Sequence, residues 1–163
     1  MLISSVQFYD VVLFFHILAV VLAFGPTFAY PMFIQIAERT DPRALPAIGR
    51  GIHAWDRVGN VLLLVILVAG IYLAADRWDF SDFYVSWGFV AVILIGGLTG
   101  AYFMPRSKKI VELAERDIAA SGNGPVELSP EYQALSKQLG QVGMFAGLVV
   151  ILTIYVMTAK PFL

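Results

Sequence analysis

Phe24-Gly-Pro-Thr-Phe-Ala-Tyr-Pro-Met-Phe33 closes the first long apolar run, and Gly96-Gly-Leu-Thr-Gly-Ala-Tyr-Phe-Met-Pro105 repeats its pattern 72 residues later. Gly25, Thr27, Ala29, Tyr30 and Met32 match Gly97, Thr99, Ala101, Tyr102 and Met104. The same shift aligns Phe8, Asp10, Ala19, Val20 and Leu22 with Phe80, Asp82, Ala91, Val92 and Leu94. Ten identities in 25 positions exceed what two unrelated apolar helices share, so the motif points to a duplicated unit.

The surrounding composition names the solvent. The chain has 163 residues, 59% hydrophobic and 14% charged, whereas a soluble domain carries roughly 25% charge. This is a membrane composition at a length that suits one domain, 1–163. A net charge of -1 gives no basic field for nucleic acid. Without cysteine, disulfides, iron–sulfur clusters and thiolate metal sites are excluded. Met1 to Gln7 carries no positive charge, and the apolar run after it is too long for a signal core, so it reads as a retained helix.

Four runs, about 9–35, 57–75, 84–104 and 141–159, each approach the roughly 20 helical residues that cross a bilayer. Peptide groups cannot stay unpaired in hydrocarbon, so each run is expected to be α-helix. Pro26 and Pro31 should bend the first span, and Pro105 should end or kink the third. The connection from Glu38 to Arg57 holds the turn formers Pro42, Pro46, Gly49 and Gly51, with helix 2 starting shortly before Asp56. Residues 106–120 read as an amphipathic extension, broken by Ser121-Gly-Asn-Gly-Pro125. Ser129-Pro130-Glu131 then reads as an N-cap opening the last helix. The expected fold is all-α: a four-transmembrane-helix bundle of two tandem hairpins (repeat 1 about 8–76, repeat 2 about 80–160) with a cytoplasmic amphipathic extension after helix 3. Spans 1 and 3 run the same way, which makes this a parallel repeat. The motif pair is expected to set close packing between them.

The two long connections hold nine of the eleven Lys and Arg residues, leaving Arg77 and Lys160 on the other side. The positive-inside rule therefore predicts both connections in the cytoplasm and both termini outside. Trp78, Tyr84 and Trp87 fit an interfacial aromatic belt.

His16, Ala19, Ala23, Thr27 and Tyr30 fall on one stripe of span 1, and Gly88, Ala91, Ile95, Thr99 and Tyr102 on the matching stripe of span 3. Polar groups facing lipid are costly, so both stripes are expected to look inward or toward a partner. Small-x-x-x-small pairs at Gly96/Gly100, Ser136/Gly140 and Gly143/Gly147 add sites for close helix approach. The duplication breaks where Gly88 stands opposite His16, the one ionisable side chain well inside the hydrocarbon. His16, Gly88, Ala19, Thr27, Tyr30, Thr99 and Tyr102 are thus candidates for binding a hydrophobic or planar ligand. In the sharpest version His16 holds haem b; in the plainest it hydrogen-bonds a backbone carbonyl or a threonine of another helix. A second candidate is the polar cluster His53, Asp56, Arg57 and Asn60 at the cytoplasmic end, fit for proton handling or for an anionic headgroup. No donor set indicates a dedicated metal site, and no nucleophile elbow or phosphate loop suggests an enzyme.

His16 in helix 1, Arg57-Val-Gly59 opening helix 2 and Ala69-Gly-Ile-Tyr-Leu73 at its end resemble a bacterial family of small predicted integral membrane proteins of unknown function. That likeness implies the four-helix layout and a place in the bacterial inner (cell) membrane. More distantly the chain is similar to the HemJ and CopD group of four-helix membrane proteins, which implies haem or porphyrin chemistry, or copper handling. HemJ-like proteins pair the helix-1 histidine with a lysine in a later span, and no lysine lies inside a span here. The functional expectation is a membrane protein that binds a hydrophobic ligand or a membrane partner in its interior. Two alternatives stand beside it: a haem-binding redox protein, and a small transporter or channel subunit working around Thr27/Thr99 and Tyr30/Tyr102. The expected partners are the lipid bilayer, a homo-oligomer or another membrane protein, and no nucleic acid.

Overall fold

A computed structural model describes residues 7–161; the uncharged stretch 1–6 lies outside the described residues. Among them the chain is helical throughout: α1 Phe8–Phe24, α2 Tyr30–Thr40, α3 Leu45–Arg77, α4 Phe83–Gly97, α5 Met104–Ser121 and α6 Pro130–Ala159. Four continuous segments are long and apolar enough to cross a membrane: Phe8–Thr40, Pro42–Arg77, Phe83–Ser121 and Pro130–Ala159. Only 11–22% of their apolar windows is buried inside the chain. Phe14, Ile93 and Leu148 are each more than half exposed, which suits contact with lipid tails rather than water.

Both copies of the opening motif are places where the α-helix breaks. In the first, Pro26–Phe28 tightens into a 3-10 turn between α1 and α2. In the second, Leu98–Phe103 widens into a π turn between α4 and α5. Proline explains the first, since Pro26 and Pro31 remove donors from the ladder. In the second, Pro105 lies in the first turn of α5, directly after the widened turn. The π turn absorbs the misfit there, so the helix continues past Pro105 instead of ending. Thr27 donates to the Phe24 carbonyl at 2.6 Å and Thr99 to the Ile95 carbonyl at 2.8 Å. Each threonine thus bonds back to its own helix, as Thr40, Thr153 and Thr158 do within unbroken helix.

Two expectations change. The stretch 45–56, read as connection, is the start of α3. Pro46 sits in the first helical turn, where its missing donor costs nothing. Gly49 faces the Val111 side chain so closely that α3 and α5 can pack without a side chain between them. Spans 1 and 3 also share no main seam along α1 and α4, and among the described residues their buried ones meet only in the cap, through Ala37, Leu113 and Ala114. The seams join α1 to α3, α3 to α4 and α5, and α4 to α6. Tight turns make chain neighbours antiparallel partners, and in lipid those partners are held by close fit rather than by hydrophobic burial. Of the glycines in the small-x-x-x-small pairs, Gly96 meets Leu63 and Gly147 meets Phe28, while Gly100, Gly140 and Gly143 face open space.

The end bearing both long connections, hereafter the basic end, forms a compact helical cap. Ala37, Leu45, Leu113, Ala114 and Tyr132 are buried together. Arg43, in the turn between α2 and α3, donates to the carbonyls of Gly122 and Gly124 at 2.6 and 3.0 Å. Arg50 pairs with Glu115 at 2.8 Å, and Ser136 donates to Glu38 at 2.9 Å. The buried carboxylate of Asp117 accepts from the Ser129 backbone amide at 2.8 Å and lies 3.2 Å from Arg116. Ser129 in turn accepts from the Tyr132 amide, capping α6 as its sequence suggests. Asp117→Ala would leave the Ser129 amide unpaired and is expected to cost about 2–3 kcal/mol. Hydrogen exchange should then quicken across 121–132 while the apolar seams keep their protection.

Candidate functional site

His16 lies in the seam between α1 and α3. Its Cε1 is 3.3 Å from the point where a Cβ on Gly70 would stand, so the glycine makes the room that the imidazole fills. The Ile66 backbone is within reach of the ring, while Nδ1 is buried without a hydrogen-bond partner. Ala19 and Ala23, on the same stripe, are buried against Ile66. The space at Gly88 belongs to a different seam, between α4 and α6, and the Met157 methyl fills it. Each hairpin therefore holds one large side chain opposite one glycine, with the roles of first and second helix exchanged. Nearby, Trp87 donates to Thr153 at 3.1 Å.

This arrangement does not fit haem b. A macrocycle needs an open slab against the coordinating imidazole. Here the ring is lodged against Gly70, and Gly88 neither faces it nor offers free space. Thr27 and Thr99 have committed their hydroxyls to their own helices.

The two motif tyrosines differ sharply. Tyr102 lies under the guanidinium of Arg106, 3.8 Å from its ring centroid. Tyr30 has no such cover. Its hydroxyl is buried and unpartnered, and Asp56 is close enough to act on it electrostatically. Asp56 also senses His53, whose Nδ1 is a second buried atom without a partner. The structure thus gathers Tyr30, His53 and Asp56. It leaves Arg57 and Asn60 exposed, outside that group.

Beside Tyr30 opens a cleft of about 440 Å³. Tyr30, Phe33, Ile36 and Ala37 on α2 form one wall, and Ile48, Gly51 and Ile52 on α3 the other, with Thr40, Asp41 and Ala44 at the turn. A second, smaller cleft of about 340 Å³ is lined by Phe28, Pro31, Met32, Gln35, Ile36 and Arg39. The apolar walls went unnoticed in the sequence because Ile36, Ile48 and Ile52 are ordinary helix residues. The one available hint was Gly51, a glycine inside a helix with nothing against it. Chemically, the larger cleft is apolar and can take an aliphatic or ring body, with the buried Tyr30 hydroxyl behind its wall.

Neither the curated proteins nor the solved structures give a match. Residues 10–161 match a family described as "Predicted integral membrane protein (DUF2269)". That match covers nearly the whole chain, and with it the four spans and both clefts. The protein is a member of this family of predicted integral membrane proteins.

Proposed function

We propose that this protein binds an amphiphilic molecule at the basic end, in the cleft between α2 and α3, instead of beside His16. One observation carries the reading: an apolar cleft has Tyr30 in its wall, and that residue's hydroxyl is buried with no hydrogen bond. Buried polar groups are almost always paired, so an orphan beside a cleft marks a place for a partner. The matching ligand has an aliphatic or ring body and an uncharged carbonyl or hydroxyl head that reaches Tyr30, with Asp56 and His53 behind it. The two tandem hairpins act as the scaffold of that cleft, and the shared break at the two motifs supports their common origin. Transport around the Thr27/Thr99 level finds less support, because those hydroxyls already bond their own helices.

The chain is placed in a cell membrane with its basic end in the cytoplasm, on the strength of the nine cations gathered there. With no native cysteine, single cysteines report this cleanly. In intact cells, Ser81→Cys should react with a membrane-impermeant maleimide and Asn123→Cys should not. The opposite pattern would invert the topology.

Gly51→Leu tests the cleft. A Cβ at Gly51 meets nothing, and replacing a helical glycine gains about 0.5–1 kcal/mol of intrinsic helix stability. The variant should therefore fold at least as stably as the parent, yet lose the amphiphile that survives detergent washing of the parent, as read by native mass spectrometry. Equal retention in both proteins would refute the reading. Haem binding through His16 has its own check. Protein purified after expression with ample haem is expected to show no Soret band, and a Soret band abolished by His16→Ala would reinstate that alternative.

A further inference from the structure

At the opposite end of the bundle, two aromatic rings hold a cation supplied by the chain itself. Lys160 Nζ stands 3.7 Å from the Trp78 ring centroid and 5.5 Å from that of Tyr84. The two rings meet edge to face at 5.4 Å, and the Trp78 indole donates to the Tyr9 hydroxyl at 3.3 Å. Tyr84 is 5% exposed, and its hydroxyl is buried without a partner. Arg77 lies 3.9 Å over the Tyr9 ring and 3.4 Å from Asp76. Among the described residues no carboxylate pairs with Lys160, so the rings alone hold the ammonium.

Such a box is selective for an ammonium, because the ring faces present negative potential without a charge to solvate. The occupant's backbone caps α6, donating to the Val156 carbonyl at 3.0 Å, while its ammonium has only the rings. Lys160 follows the end of α6 in a left-handed conformation, φ 43°, which a non-glycine residue adopts only at some cost. The box also sits where aromatic residues ring the membrane interface, at headgroup depth, and Arg77 adds a cation beside it.

We propose that Trp78 and Tyr84, with Tyr9 behind them, form a binding site for the alkylammonium headgroup of a zwitterionic phospholipid, and that Lys160 is its built-in competitor. When lipid enters, its ammonium replaces Lys160 between the rings and its phosphate lies toward Arg77. Lys160 then moves out to solvent.

Two measurements test this on the full chain in maltoside micelles, with dihexanoyl phosphatidylcholine as the probe and dihexanoyl phosphatidylglycerol as the control. The first needs no variant. Acylation of Lys160 by an amine-reactive ester, followed by peptide mass spectrometry and referenced to Lys108, should accelerate about five- to tenfold with the phosphatidylcholine only. The second is equilibrium binding of the same lipid. Lys160→Ala should bind it about five- to tenfold more tightly than the parent, and Trp78→Ala should abolish saturable binding. Equal acceleration by both lipids, or unchanged affinity in Lys160→Ala, would overturn the proposal.

Discussion

In hydrocarbon no water stands ready to satisfy a peptide group, and each unpaired N–H or C=O costs several kcal/mol. Every departure from the α-helix must therefore be repaired where it occurs. Among the described residues spans 1 and 3 each break at one copy of the motif, and each copy carries a threonine bonded to its own helix. Thr27 donates to the Phe24 carbonyl and Thr99 to the Ile95 carbonyl. Those hydroxyls are committed within their own helices. Two breaks of opposite sense, one tightened and one widened, follow from where the prolines fall: inside the first motif at 26 and 31, and at the edge of the second at 105.

A broken span changes direction, and that shapes the seams. With hydrophobic burial absent as a driving force between helices, contact is governed by shape. Gly70 admits His16 and Gly88 admits Met157, so each hairpin closes on a large residue set into a glycine. The spans themselves were legible in the sequence, because long apolar runs can hardly be anything but helices in a bilayer. The seams were not. A stripe such as His16, Ala19, Ala23 reads as inward-facing, but inward can mean any of three neighbours, and the pairing of His16 with Gly88 by sequence register did not survive. Spans 1 and 3 share a sequence pattern, yet their main seams are with other helices.

The basic end shows the same division. Its arginines announced a membrane flank, and Ser129-Pro130 announced a helix start, because those signals act locally. The cap that they build was hidden. Arg43 reaches carbonyls about 80 residues away, and Asp117 meets Ser129 across a turn, distances at which local signals say nothing. The start of α3 went unread for a related reason. Pro46, Gly49 and Gly51 look like turn formers until the packing against Val111 shows what Gly49 is for.

The site follows from how the two motif tyrosines have parted. Shifted by 72 residues, the position of Arg106 becomes Ile34. Tyr102 has a guanidinium over its ring; Tyr30 has none, and its hydroxyl is left buried and unpaired. The position that carries a cation beside Tyr102 is thus aliphatic beside Tyr30, and Ile34 packs into the cap around Ala37 and Leu113. Structural economy would predict that such an orphan be eliminated, since pairing it or replacing it with phenylalanine relieves the cost. On the proposed reading a ligand in the cleft meets that cost at Tyr30, while its twin Tyr102 is covered by Arg106.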